Sequence, residues 1–178
     1  MSAAARAAQA GPEPNFLIVA EGLDVAPALA ELAALPDYYW LQINDDRCTF
    51  VSLLDHAAQP AMREELPETW RLIDGLMAIL AAAHGDAGRL DYCRVGRMPP
   101  GEGLAPHFDG VDGILQRRYQ LALQAAPGVA LTVGGETREP RPGDAWRIAA
   151  HRTHSVYNRG PIDRITLLFD TISGEVDR

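Results

Sequence analysis

Three side chains in the second half of the chain have the types and spacing to hold a metal: His107 and Asp109 in Ala-Pro-His-Phe-Asp-Gly, and His154 in His-Ser-Val-Tyr-Asn. Two imidazoles and one carboxylate are the set that binds non-haem Fe(II) on one face and leaves the opposite positions open for substrate and oxygen. Arg164 follows His154 by ten positions. A guanidinium beside such a metal is suited to anchor a carboxylate, because its planar fork pairs one bidentately.

Alternate side chains of a β-strand share a face, so His107 and Asp109 are expected to chelate from one strand while Phe108 turns into the core. His154 must arrive from a distant strand. The stretch Val-Tyr-Asn-Arg-Gly-Pro reads as a strand end entering a turn. A turn centred near Arg159-Gly160 predicts an antiparallel hairpin that sets His154 opposite or diagonal to Arg164. His151 rivals His154, but it has the wrong parity relative to Arg164 and is expected in a loop. Taken alone, His107 and Asp109 fit equally well a histidine oriented by a surface carboxylate; adding His154 and Arg164 favours the metal. Arg164 has its own structural alternative, a surface pair with Asp163 or Asp170, against which its neighbours Ile165, Leu167 and Phe169 argue for burial. Asn158 is expected as a turn residue rather than a ligand contact, and Trp146 as core rather than pocket wall. His56 and His84 show no partner pattern and are expected to be solvated or capping.

His-x-Asp, a long gap, then His with Arg ten residues on resembles the Fe(II)/2-oxoglutarate-dependent dioxygenases, and the surrounding segments resemble their aspartyl/asparaginyl β-hydroxylase branch. The similarity runs from about Tyr92 to Thr171, through Arg118-Tyr119-Gln120, the Pro-Gly-Asp-Ala-Trp run from Pro142 to Trp146, His-Ser-Val-Tyr-Asn and Arg-Ile-Thr-Leu-Leu-Phe-Asp; the first 90 residues carry no resemblance that can be named from their motifs. The resemblance implies a double-stranded β-helix, a jelly-roll barrel with the metal in its wide mouth. It also implies Fe(II), with 2-oxoglutarate and O2 as co-substrates, the keto acid end on the metal and the far carboxylate on Arg164. The implied reaction hydroxylates an unactivated C–H bond and releases succinate and CO2. Related halogenases carry a small residue in place of the metal carboxylate, so Asp109 favours hydroxylation. The branch tends to carry Arg-x-His on a middle strand, and this chain departs from it with Arg118 and Gln120, which fit equally a keto acid contact or ordinary polar lining. The resemblance implies an amino acid or amino-acid-like small molecule as substrate, with a peptide side chain as the other option. Two other classes fit the same residues: a cupin-like module that binds metal and organic acid without turnover, and a β-sandwich interaction domain with incidental histidines.

The chain's 178 residues suffice for one domain with a substantial core. Residues 1–14 are expected as a loose tail and 15–178 as a single domain, with a supporting part over 15–89 and a metal-binding β-helix core over 90–172. No apolar run approaches a membrane span, and the alanine-rich start makes a poor signal peptide, so a cytoplasmic protein without a membrane partner is expected. The net charge of −8 argues against nucleic acid as a partner. A local basic cluster of Arg117, Arg118, Arg138, Arg141, Arg147 and Arg152 is expected to serve an anionic cofactor or substrate instead. Cys48 and Cys93 are too few for a disulfide framework. All 16 basic residues are arginine, which excludes a lysine Schiff base or a P-loop lysine and leaves only arginine to anchor a carboxylate.

A mainly β fold with flanking α-helices follows from the pattern. A strand is expected over 15–20, and a helix from Val25 to Leu35 with Asp24 as N-cap and Pro36 as stop. One or two strands are expected between Tyr38 and Leu54. A second helix opens at Pro67 and ends at Gly85, its stripe of Trp70, Ile73, Met77 and Leu80 packing on the outside of the barrel. From Leu90 short strands alternate with Gly and Pro: Leu90–Met98, then a loop delivering His107, then Arg117–Gln124, Val129–Val133, Asp144–Ala149, His154–Tyr157 and Ile165–Thr171. In Arg117–Gln124, Tyr119, Leu121 and Leu123 face one way; Arg118, Gln120 and Ala122 face the other and are expected to line the site.

Overall fold

A computed structural model of the chain describes residues 13–42, 47–56, 59–84, 88–110 and 116–172. Most of the tail expected over 1–14 lies outside them, as does Gly85. Eleven strands and two helices are present among the described residues. The strands are β1 (Phe16–Ala20), β2 (Leu41–Gln42), β3 (Thr49–Asp55), β4 (Arg89–Met98), β5 (Gly103–His107), β6 (Gln116–Gln124), β7 (Val129–Val133), β8 (Glu136–Arg138), β9 (Ala145–Ile148), β10 (His154–Asn158) and β11 (Arg164–Ile172). The helices are α1 (Ala26–Ala34) and α2 (Pro67–His84). They form a seven-stranded sheet in the order β1-β9-β6-β11-β4-β3-β2 and a four-stranded sheet in the order β5-β10-β7-β8. Every pairing is antiparallel, and the two sheets make the jelly roll of a double-stranded β-helix.

Period-2 alternation divides the larger sheet into two unlike faces. Val51, Leu53, Cys93, Val95, Tyr119, Leu121, Leu123, Leu167 and Phe169 are buried in one cluster with Trp70, Ile73, Leu76 and Leu80 of α2 and Leu32 of α1. Burial of this kind stabilises by about 25 cal/mol per Å² of apolar surface, and it holds the helices outside the barrel, as expected. Leu76 rather than Met77 is the deeper member of the α2 stripe. The opposite face shares a second cluster with the smaller sheet, in which Met98, Trp146 and Ile148 meet Leu131, Val133 and Val156. Trp146 is therefore core, edge-on to Phe16.

The N-cap of α1 is Val25 rather than Asp24, and Val25 makes no side-chain cap bond. Asp24 accepts a hydrogen bond from the Ala26 N–H ahead of α1. The N-terminus of α2 is capped from outside its own sequence: Glu31 on α1 accepts from the Glu68 and Thr69 N–H groups, which would otherwise lack partners. Gly143 adopts φ +88, and a Cβ there would lie 2.6 Å from the Leu23 carbonyl oxygen, so only glycine lets the turn before β9 close against the start of the chain.

Three further expectations are corrected. The segment before His107 contains a strand, β5, rather than a simple loop. That strand ends at His107, so Phe108 and Asp109 lie beyond it and Phe108 is 73% exposed instead of core. His154 and Arg164 do not share a hairpin: β10 belongs to the smaller sheet and β11 to the larger. The chain changes sheets between them, and buried Asn158 braces the crossover by donating to Met98 and Ile162 carbonyls and accepting from the Gly160 N–H.

Candidate functional site

His107 and His154 are register partners on β5 and β10, and their ring centroids are 4.3 Å apart. Each ring uses Nδ1 to reach a backbone carbonyl, His107 to Ala105 at 2.7 Å and His154 to Arg152 at 2.9 Å. A carbonyl oxygen only accepts, so Nδ1 carries a proton in either state of the ring, and a ring in its neutral form keeps its Nε2 lone pair for a metal. Asp109 follows the end of β5 and is fixed by its N–H to the Ala150 carbonyl. Its Oδ2 lies 3.2 Å from His154 Nε2, close to the roughly 3 Å that separates adjacent ligands on one octahedral ion with bonds of about 2.1 Å. The three ligand atoms all lie within 4.8 Å of one another. Among the described residues no other group of three has this form. His151 instead lies in a turn, 3.8 Å from Glu13.

Charge around the triad is arranged by β6 and β11. Arg118 pairs with Asp109 through Nη1 and grips Asp170 bidentately through Nε and Nη2 at 2.8 and 2.7 Å. Burial pushes the Asp109 carboxyl up, but the hydrogen bond with His154 and the charges of Arg118 and the two histidines outweigh it, and Asp109 stays below its usual value. Burial pushes His154 down, yet its protonated ring donates to both Asp109 and the Arg152 carbonyl, which raises it overall.

Arg164 occupies the same space from β11. It is only 8% exposed, donates to Gln120 Oε1 at 2.9 Å, and has no carboxylate partner among the described residues. Its Nε and the Thr166 hydroxyl two residues on are both buried without a partner. Burial pulls the guanidinium down to about 10, so it is still protonated at neutral pH. A buried cation left in this state is costly unless an anion completes it. Gly96, on the neighbouring strand and in register with Thr166, leaves open space where a Cβ would project.

These groups line one cavity of about 100 Å³. It contains His107, Asp109, His154, Arg164, Arg118 and Gln120, all six residues singled out from sequence, together with apolar Leu131, Val156 and Leu168. Of the six arginines expected to cluster, only Arg118 is here; Arg138 pairs with Glu136, Arg147 with Glu13, and Arg152 bonds Asn15. Arg94, Thr49 and Thr166 also line the cavity and were missed. For Arg94 the signal was present: it alternates with Asp91, Cys93 and Val95, whose side of β4 is buried over those three positions. His56 is not solvated alone but bonded to Asp91 at 2.8 Å and stacked on Tyr92; the side chain of His84 lies outside the described residues.

A family profile described as aspartyl/asparaginyl beta-hydroxylase matches residues 31–173, beginning well before the segment whose resemblance is visible by eye. The fold is similar to that of an oxidoreductase of the 2OG-Fe(II) oxygenase family from Burkholderia pseudomallei, with a TM-score of 0.66 at 16% identity over 88% of this chain and 84% of that one. It is also similar to a Pseudomonas putida prolyl-4-hydroxylase, with a TM-score of 0.61 at 17% identity over 90% and 94% of the two chains. A viral collagen prolyl hydroxylase from Paramecium Bursaria Chlorella virus-1, solved as a 2OG complex, gives a TM-score of 0.59 at 11% identity over 90% and 97%. At these identities the likeness is one of fold. No curated protein sequence matches the chain.

Proposed function

Because this chain belongs to the aspartyl/asparaginyl β-hydroxylase family and is a 2-oxoglutarate-dependent hydroxylase, we propose that His107, Asp109 and His154 hold its Fe(II), that Arg164 anchors 2-oxoglutarate, and that its substrate is an amino acid or a similar small molecule. Fe(II) with 2-oxoglutarate and O2 supplies the oxidation of an unactivated C–H bond, with succinate and CO2 as co-products. The observation that carries the assignment is Arg164: a buried guanidinium without a counter-ion among the described residues, opening on the same cavity as two imidazoles and a carboxylate.

Each protein group has a definite task in this reading. The Nδ1–H bonds of His107 and His154 to backbone carbonyls aim both Nε2 atoms at one point. Arg118, itself locked by Asp170, holds Asp109 ionised and oriented. Arg164 receives the far carboxylate of 2-oxoglutarate, and the Thr166 hydroxyl supplies a further donor beside it. Gly96, in register with Thr166, leaves space open beside it, while Leu131, Val156 and Leu168 give the cavity an apolar wall, where charge interactions are stronger than in water. Gln120 orients Arg164 from the next strand, and its Oε1, as an acceptor, is already engaged in doing so.

Anaerobic titration with Fe(II) and 2-oxoglutarate tests the reading. The chelate's weak visible charge-transfer band is expected, followed by slow release of succinate when air is admitted without substrate. Binding without succinate would turn the protein into a non-catalytic organic-acid module, and no band at all would remove the metal assignment.

A further inference from the structure

We propose that Arg94 is the anion receptor for the prime substrate, which therefore carries a carboxylate; the proposal rests on the reaction centre assigned above and identifies its substrate class. Alternation along β4 puts Tyr92, Arg94, Gly96 and Met98 on the cavity side and Cys93 and Val95 against the helices. Four arginines line the cavity, and three have an engagement. Arg118 is bound by Asp109 and Asp170. Arg97 bonds the Thr49 hydroxyl at 3.2 Å and lies over the Trp40 ring, with Asp37 at 4.0 Å. Arg164 is taken by 2-oxoglutarate. Arg94 has neither a hydrogen bond nor an acidic partner among the described residues, and its guanidinium carbon lies 5.6 Å from the ring centroids of both Phe50 and Tyr92. Those rings hold the planar fork in place while leaving its five N–H donors available.

The position of Arg94 gives this free fork a purpose. With Asp109 and Arg118 it borders both the inner cavity and an outer cleft formed by His56, Tyr92, Gln116 and Asp170. Arg94 thus stands at the doorway between solvent and the triad, whereas Arg164 is buried on the inner side. A ligand entering by the outer cleft meets Arg94 beside Asp109, so a carboxylate held there brings its neighbouring carbons to the triad. The two cations divide the site's anions: the deep one takes the co-substrate and the one at the doorway takes the substrate. A carboxylate matches the fork bidentately, and it can be the α-carboxylate of a free amino acid or the side chain of an acidic residue in a peptide.

Anaerobic calorimetry on the Fe(II)- and 2-oxoglutarate-loaded protein tests this with free L-amino acids, their carboxamides, and N-acetylated, C-amidated peptides containing aspartate or asparagine. A carboxylate compound is expected to bind at least about tenfold more tightly than its amide, as loss of a charge-assisted pair predicts. Preference for free acids identifies the α-carboxylate, and preference for the aspartyl peptide identifies the side chain. Arg94→Met should erase the difference between acid and amide while 2-oxoglutarate affinity stays within about twofold, and Arg94→Lys should restore part of it. The proposal is overturned if the difference survives in Arg94→Met, if the tightest ligand has no carboxylate, or if none of the acids binds. Failure of the wild type to bind Fe(II) or 2-oxoglutarate would instead sink the reaction centre, and the acid–amide comparison on the unloaded protein would still judge Arg94.

Discussion

The two faces of the seven-stranded sheet are made by the same strands, residue by alternate residue, and they obey opposite rules. Towards the helices, Cys93, Val95, Tyr119, Leu121, Leu123, Leu167 and Phe169 are all buried and apolar. Towards the cavity, apolar Met98 and Leu168 are interspersed with Arg94, Gly96, Arg118, Gln120, Arg164, Thr166 and Asp170, with an orphaned Nε and an orphaned hydroxyl among them. One face supplies the burial that makes the strands stable. The other accepts desolvated charge and open space, which destabilise a fold and are worth keeping only where a ligand completes them.

The sharpest way to break this contrast is at the triad. His154→Ala should abolish turnover and weaken iron binding by more than about 100-fold, since losing even a supporting bond around a metal ligand costs 10 to 100-fold. His151→Ala should leave both near wild type. Exchange of these outcomes would move the ligand to the turn. On the other face, Phe169→Ala should cost about 3–5 kcal/mol of stability in denaturant unfolding; a loss under about 1 kcal/mol would mean that the helix-facing layer does not carry the fold.

Arg164→Met probes both properties at once. 2-Oxoglutarate affinity should fall on the order of 100-fold with metal affinity retained, because a desolvated charge pair is lost while the ligand set stays. The melting temperature of the unliganded protein should hold or rise, since a buried cation without a partner has been removed. Arg164→Lys should recover affinity only in part. Unchanged affinity would pass the anchor role elsewhere, and a large drop in stability would show that Arg164 is structural.

The smallest effect is expected at the cleft edge. The hydrogen bond to Asp91 raises His56 above the ordinary histidine value against the opposing effect of burial. A group raised on folding adds stability that is complete below its unfolded value, near 6.5, and is lost as pH climbs through the raised folded value. Wild type should therefore lose a little more melting temperature than His56→Asn between pH about 6 and 8. Identical slopes would remove His56 from the balance; its exposure keeps the difference small.

Much of this was legible in the chain. Alternation separates Tyr119, Leu121 and Leu123 from Arg118 and Gln120, and the stripe of Trp70, Ile73 and Leu80 marks a helix with one buried face, because both are periodicities of a few neighbouring residues. The types and spacing of His107, Asp109, His154 and Arg164 likewise single out the side chains proposed as ligand set and anion anchor, since coordination chemistry restricts which side chains could serve.

What only the tertiary structure decided is where those local pieces meet. A strand does not carry the identity of its sheet, so nothing in the sequence between His154 and Arg164 says that the chain crosses from one sheet to the other instead of folding back. The exposure of Phe108 follows from β5 ending at His107, which depends on pairing with β10 some fifty residues later. Which cations are free is also a long-range property: Arg118 is engaged because Asp170, 52 positions away, lies beside it in the β6–β11 register, and Arg94 and Arg164 remain open because no acidic side chain among the described residues folds against them. Ion pairing and burial are settled by packing between distant segments, whereas the sequence alone determines which residues have the chemistry to take part.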